Sequence, residues 1–392
     1  MSNFIVEYKK GQSGSNRGLS LGPGLESLDK AINGLQRRMT YVIAASPKVG
    51  KSTLVDYGFV INPWLDAVAK NIPIRFIYFS FEMDRVTKEF DFICYFLYTD
   101  YGIEKFTLPS DITYTKNGER QFEIEISSEL LRGRIADDEG KTITIPKEIE
   151  EKIFYIHSTK IVQLFGEYSE RGEKLKEGVI DFIPTKTNPT GLRNCIIDTM
   201  KNLGTIEKKP IFNKKGEPIL GDDGKQLEKV IGYTLNNPDQ YVVVITDTIR
   251  KIPRERQFSM KENIDKYLEY ATELRDNLGV AFVHIVHLNR DMADIQRQKA
   301  MGEYLHPSPE QIKDSGNASE EANHVITMFN PNDDRFGLKK HFGVVIKDSN
   351  NNQFYPQLRT LHLVESRHSV YPQHFAVNMQ GNIKNFKKFS NE

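Results

Sequence analysis

Tyr41-Val-Ile-Ala-Ala-Ser-Pro-Lys-Val-Gly-Lys-Ser-Thr53 joins an apolar run to a short polar loop and then to a stretch compatible with a helix. This order of strand, loop and helix is what cradling a phosphate requires. Loop N–H groups and a helix N-terminus present positive potential to anionic oxygens. Ser46, Pro47, Lys48, Val49, Gly50, Lys51, Ser52 and Thr53 are the candidate phosphate-binding residues. In such loops the lysine, here Lys51, reaches the outer phosphates, and the hydroxyl after it, here Ser52, ligates Mg²⁺. The pattern usually begins with glycine, and Ala45 stands there instead.

Further apolar runs lie on either side. Ile74–Ser80 reads as a second strand, followed by Phe81-Glu82-Met83 and by Asp84 as the cap of an aromatic-rich helix reaching about Tyr98. Tyr241–Thr246, closed by Asp247, reads as a third strand, and Val280–Val286 as a fourth. Between those two, Ile264, Tyr267, Leu268, Ala271 and Leu274 recur at helical spacing. Near-continuous apolar strands alternating with helices predict an α/β fold, with a mainly parallel central sheet flanked by helices on both faces. Leu25–Ile32 predicts a short helix stopped by Asn33-Gly34. Leu358–Val364 and His374–Asn378 predict paired strands near the C-terminus.

The middle of the chain, from Gly102 to Gln240, is more charged and reads as a core strand–helix unit carrying β-hairpin insertions. Ile112–Ile126 alternates around Asn117-Gly118, a strong hairpin signal. Phe212–Lys225 reads similarly. Phe154-Tyr-Ile-His157 is expected to be a sheet strand, and Pro189 to open a helix that runs to Leu203.

With 53 basic and 53 acidic residues among 392, the chain is neutral, so any nucleic-acid binding needs a local basic groove. The two cysteines, Cys94 and Cys195, sit in apolar-patterned segments and read as reduced core thiols. The N-terminus lacks the apolar stretch of a signal peptide, and no run approaches membrane-spanning length. These features lead to the expectation of a cytoplasmic protein with no membrane partner.

A phosphate cradle that supports hydrolysis needs one carboxylate near the metal and another that acts on the attacking water. Asp247, ending the most apolar strand, fits the first role, and Glu82, just past the second strand, fits the other. Parallel strands bring their C-terminal ends to one edge, so the ends of all three strands should meet there. His287, which ends the fourth strand, is placed to sense the outer phosphate, while His284 reads as a packed core residue.

In this order the segments resemble the motor domain of DnaB-type replicative helicases, a group of RecA-like P-loop NTPases. Leu21–Asp29 and Ala45–Thr53 are similar to that family's approach to the phosphate loop and to the loop itself. Ser80-Phe-Glu-Met83 resembles its Ser-Leu-Glu-Met, whose glutamate is the catalytic base, and His287-Leu-Asn-Arg290 resembles its Gln-Leu-Asn-Arg. Asp314-Ser-Gly316 with Glu320–Ile326 resembles a later loop and strand, and Leu363-Val-Glu-Ser-Arg-His368 the strand with the arginine finger. The resemblance covers residues 20–100 and 240–385. It implies a RecA-like domain over residues 20–392, after a flexible lead-in over 1–19, with insertions within about 104–152, 159–186 and 205–239. It also implies ATP and Mg²⁺ as ligands, a homo-oligomeric ring, hexameric in the family's manner, and replication partners. The catalytic set it implies is Lys51, Glu82, Asp247, His287 and Arg367, the last acting from a neighbouring subunit. Glu365 departs from the family, which carries a basic residue two positions before the finger.

Single-stranded DNA is the implied substrate track. Arg250, Lys251, Arg254 and Arg256 follow Asp247, and Arg290, Arg297, Lys299 and Lys313 follow His287, so both basic loops leave nucleotide-sensing strands. Basic loops hold phosphates without reading sequence. Two alternatives remain open from the residues: a RecA-like recombinase, loader or regulatory ATPase that unwinds nothing, or a catalytically weak nucleotide-binding scaffold.

Overall fold

The computed structural model describes residues 17–169, 173–184, 186–213, 215–219, 226, 228–288, 295–312 and 316–390. Its centre is a nine-stranded mixed sheet. In chain order the strands are β1 (Thr40–Ala45), β2 (Ile74–Ser80), β3 (Ile180–Ile183), β4 (Tyr241–Asp247), β5 (Ala281–His287), β6 (His324–Phe329), β7 (Leu358–Ser366), β8 (Gln373–Gln380) and β9 (Asn385–Lys388). Their spatial order is β9-β8-β7-β6-β1-β5-β4-β2-β3. The pairs from β6 to β3 are parallel, and β7, β8 and β9 continue the sheet antiparallel.

The apolar runs are continuous because both sheet faces are covered. Tyr41, Ile43 and Ala45 of β1 enter one core, with Phe76, Tyr78, Val243 and Ile245. Val42 and Ala44 enter the opposite core, with Ile77, Phe79, Val242 and Val244. Helix α1 (Glu26–Ile32), α2 (Lys51–Val55), α3 (Arg85–Tyr101) and α4 (Lys147–Ile156) contribute to the first core. Helices α5 (Pro189–Leu203) and α6 (Met260–Leu278) close the second.

Local chemistry sets the helix limits. Asn33, at φ 60°, ends α1 as expected. The Asp84 carboxylate accepts from the Thr87 N–H and starts α3. Ser259 and Glu262 form a reciprocal capping box on α6, and Asn188 caps α5 with Pro189 in its first turn. After α2 the helix widens to π-helical turns over Asp56–Ile61 and then resumes over Asn62–Ala69. Pro63 explains the widening, since its ring has no N–H and would crowd the carbonyl one turn back.

The structure differs from expectation in the middle of the chain. Phe154-Tyr-Ile-His157 is not a strand: it straddles α4 and the π-helical turns His157–Ile161 that follow. Ile149, Ile156 and Ile161 are buried there, whereas Phe154 and Tyr155 face outward, a helical rather than an alternating pattern. The outer strand of the sheet on this side is β3, within the stretch 159–186. The Asn117-Gly118 hairpin forms as expected, joining strands Tyr114–Lys116 and Glu119–Gln121, with both turn residues at positive φ. Of Phe212–Lys225, the described part carries a Phe212–Pro218 bridge beyond the antiparallel ribbon of Gly204–Pro210 and Glu228–Leu235. No helix among the described residues is long and apolar enough to cross a membrane.

Candidate nucleotide site

Four strand ends meet at one edge of the sheet, in the order β1, β5, β4, β2. The expectation that the strands before Lys51, Glu82 and Asp247 would be neighbours needs correction. The strand of His287 separates the phosphate-loop strand from the Asp247 strand, with Ala45 in register with His287. Asp247 and Ser80 are register partners on β4 and β2. The side chains nevertheless converge. Pro47, Lys48, Gly50, Lys51, Ser52, Thr53, Glu82, Asp247, His287 and Met379 line one open cleft of about 490 Å³.

The loop from Ser46 to Gly50 curls through two left-handed residues, Lys48 at φ 64° and Gly50 at φ 118°. Such turns aim successive N–H groups inward. A Cβ on Gly50 would sit 2.3 Å from the Met379 sulfur, so this position also needs glycine for space. Lys51 donates from Nζ to the Ser46 carbonyl at 3.0 Å. Burial pulls its ammonium down to about 8, although the Asp247 and Glu82 carboxylates oppose that shift. Arg359, on β7, donates from Nε to the Val49 carbonyl at 3.3 Å and ties the loop to the antiparallel strands.

The Ser52 hydroxyl donates to Asp247 Oδ2 at 3.1 Å. A hydroxyl and a buried carboxylate side by side are the hard oxygen donors that suit Mg²⁺, so the residues fit that ion and the phosphates it would accompany. Glu82 sits in a turn fixed by Ser80, whose hydroxyl donates to the Met83 carbonyl at 2.6 Å, and Phe81 N–H donates to the Asp247 carbonyl at 2.9 Å. Its Oε1 lies 3.8 Å from His287 Nε2 and 3.3 Å from Lys251 Nζ. Burial, then the Lys51 charge, lowers the His287 pKa against the pull of Glu82 and Asp247, so the ring is neutral at pH 7. His284 is the packed residue expected of it: wholly buried against Phe282 and Tyr267, with its pKa pushed down to about 3 by burial.

Arg367 lies elsewhere. β7 runs antiparallel to β6, so Ser366 pairs with His324, which in turn pairs with Tyr41 at the start of β1. Four residues of strand separate that level from Ala45, roughly 13 Å. Arg367 is exposed at the opposite edge of the sheet, its guanidinium donating to the Glu320 carbonyl. It cannot serve the cleft of its own chain.

In the loop after β4, Ile249 and Ile252 are buried and Asn263 donates to the Ile252 carbonyl at 3.3 Å. This anchors the stem, while Arg250, Lys251, Arg254 and Arg256 are exposed. On the other loop, Arg297 donates to the His306 carbonyl at 3.0 Å and Lys299 is exposed. Arg290, Lys313, Asp314 and Ser315 lie outside the described residues.

Three residues escaped the sequence reading. Met379 closes the cleft from β8. Lys88 and Asp56 form a buried ion pair beneath Asp247. Their signal was a charge on an otherwise apolar helix face, one turn before Phe92 and next to Val55.

No protein-family model matches the chain, and no curated protein matches it in sequence. Solved structures do match in shape. The ATPase domain of a DnaB-like helicase, solved on its own, aligns over 99% of this chain and 97% of its own, at TM-score 0.57 and 12% identity. A DnaB-like replicative helicase, described together with its interactions with primase, aligns over 99% of this chain and 68% of its own, at TM-score 0.58 and 11% identity. The chain therefore has the RecA-like fold of DnaB-type ATPase domains.

Proposed function

We propose that this protein is an ATP-dependent motor that hydrolyses ATP–Mg²⁺ between subunits of a homo-oligomeric, DnaB-like ring and moves along single-stranded DNA in replication. The observation that carries this reading is the convergence of Lys51, the Ser52–Asp247 pair and Glu82 on one cleft. Loop N–H groups and Lys51 bind the phosphates. Ser52 and Asp247 would hold Mg²⁺, which supplies charge neutralisation of the triphosphate when bound. Glu82 takes the proton of the attacking water, and neutral His287 beside it orients that water or the outer phosphate. Arg367, remote from its own cleft, supplies the missing cation to a neighbour's, which favours a closed ring. Exposed Arg250, Lys251, Arg254, Arg256 and Lys299, with Arg297, Arg290 and Lys313, are the proposed DNA contacts.

Steady-state ATP hydrolysis with and without single-stranded DNA, together with mass in solution and a duplex-unwinding assay, tests the reading. DNA-stimulated turnover by a ring is expected. Glu82→Gln should keep ATP binding and lose about 10²–10⁴-fold in turnover, the usual worth of a general base. Normal turnover in that variant sinks the assignment. One observation favours a second reading. Glu365, where a cation would help Arg367, stands instead in an acidic neighbourhood with Glu310 and Glu320, and its carboxyl pKa is raised by burial and by those charges. A catalytically weak nucleotide-binding assembly protein fits that feature, and negligible hydrolysis at saturating DNA would select it.

A further inference from the structure

We infer that Lys251 is a positioning residue that holds Glu82 in an unproductive pose until nucleic-acid phosphates draw the ammonium away. The inference rests on the hydrolytic reading of Glu82 and adds to it a route by which DNA controls turnover.

Lys251 closes the short 3₁₀ turn Ile249–Lys251, immediately past the strand that ends in Asp247. Its Nζ lies 3.3 Å from Glu82 Oε1, the same oxygen that His287 Nε2 approaches at 3.8 Å. A carboxylate oxygen that accepts from an ammonium has a lone pair committed, and the cation stands where water must approach. Glu82 therefore carries a contact that a working base should shed.

The contact is built to be shed. The Lys251 side chain is 53% exposed and that of Glu82 33%, so water screens the pair and its strength is small. The stem of the loop is fixed by buried Ile249 and Ile252, leaving the basic side chains to move. Arg254 and Arg256 are exposed on the same loop. A strand of DNA offers a row of phosphates to all of these cations together, and release of its counterions drives the exchange. One carboxylate cannot compete with that row for a half-exposed ammonium. The loop that meets DNA and the residue that meets water are thus joined by a single side chain, with no relay through the core.

The test compares Lys251→Met, Lys251→Arg and wild type in steady-state ATP hydrolysis, without DNA and at saturating oligo-deoxythymidylate. Saturation separates loss of DNA affinity from loss of control. In Lys251→Met the DNA-free rate should rise about two- to fivefold, the range an exposed ion pair supplies. The saturated rate should stay near wild type, so the stimulation ratio falls by the same factor. Lys251→Arg keeps a cation at this place and should bring the ratio back toward wild type. A merely structural role would not move the ratio. An unchanged DNA-free rate in Lys251→Met with wild-type stimulation overturns the inference. So does a rate lowered in both conditions, which would make Lys251 a productive partner of Glu82. Wild-type hydrolysis that DNA does not stimulate removes the latch and leaves ATP hydrolysis standing. Absence of hydrolysis in the wild type removes both.

Discussion

Lys88 Nζ lies 2.6 Å from Asp56 Oδ2, and both side chains are almost wholly inaccessible to water. The pair ties the helical run after Lys51 to the helix after Glu82, two elements that carry the opposite walls of the cleft. The Tyr78 hydroxyl donates to Asp56 Oδ1 at 3.0 Å, and Lys88 Nζ also stands 3.9 Å from Asp247 Oδ2. Lys88 is therefore a fixed cation behind the proposed metal ligand. Burial works against its charge, but Asp56, Asp247 and Asp91 together outweigh that effect and hold its proton on.

Removing one member of such a pair leaves an uncompensated buried charge. Lys88→Met should cost about 3–5 kcal/mol of folding stability. Removing both charges is commonly close to neutral, so Lys88→Met with Asp56→Asn should recover most of that loss, the amide keeping an acceptor for Tyr78. Urea unfolding of the two variants measures the difference, and equal losses in single and double variants would show that the pair is not a unit.

Gly50→Ala should abolish nucleotide binding. A side chain at φ 118° strains the backbone by about 1–2 kcal/mol. The added methyl also meets the Met379 sulfur at 2.3 Å. Met379→Ala in the same chain frees the space but leaves the strain, so it should restore binding only in part. Titration with a fluorescent ATP analogue, beside a thermal melt to confirm folding, reads both effects.

Arg367 sits at the far edge of the sheet from the phosphate loop, and this gives a prediction about mixtures. Arg367→Ala should lower DNA-stimulated turnover by about 10³-fold or more, as for a finger supplied from outside. A chain lacking Lys51 has no working cleft but still offers its finger. Mixing Arg367→Ala with Lys51→Met should therefore restore turnover that neither has alone. Activity no greater than the sum of the separate variants would place Arg367 outside the reaction.

What the sequence made legible follows from which interactions are local. Strands β1, β2, β4 and β5 announce themselves because burial on both faces leaves little room for polar residues. Lys51 and Ser52 are readable because one loop supplies them, and Glu82 and Asp247 because each ends a strand. The insertion of β5 between β1 and β4 was not readable, since nothing in a strand states its neighbours. β3 was hidden for a different reason. It is four residues long, lies at the edge and carries Asp181, whose carboxylate pairs with Arg75 on β2. The Lys88–Asp56 and Lys251–Glu82 pairs join residues far apart in the chain, so only the folded structure shows them.

The state of Lys51 should appear as a pH dependence of ATP binding. Burial lowers its ammonium to about 8 in the free protein. Phosphates in the cleft favour the charged form, so the pKa in the complex is higher than in the free chain. The sign follows from linkage. Below about 8 both states hold the proton and affinity is flat. Above it the free protein loses the proton first, binding must take one up, and affinity falls as pH rises, by at most tenfold per pH unit. His287 adds nothing in this window, because its lowered pKa keeps it neutral on both sides. Calorimetric titration with a non-hydrolysable ATP analogue at pH 7, 8 and 9 should give its weakest binding at pH 9. Lys51→Arg, which stays charged throughout, should bind less tightly but show no slope. A slope that persists in Lys51→Arg would assign the proton to another group.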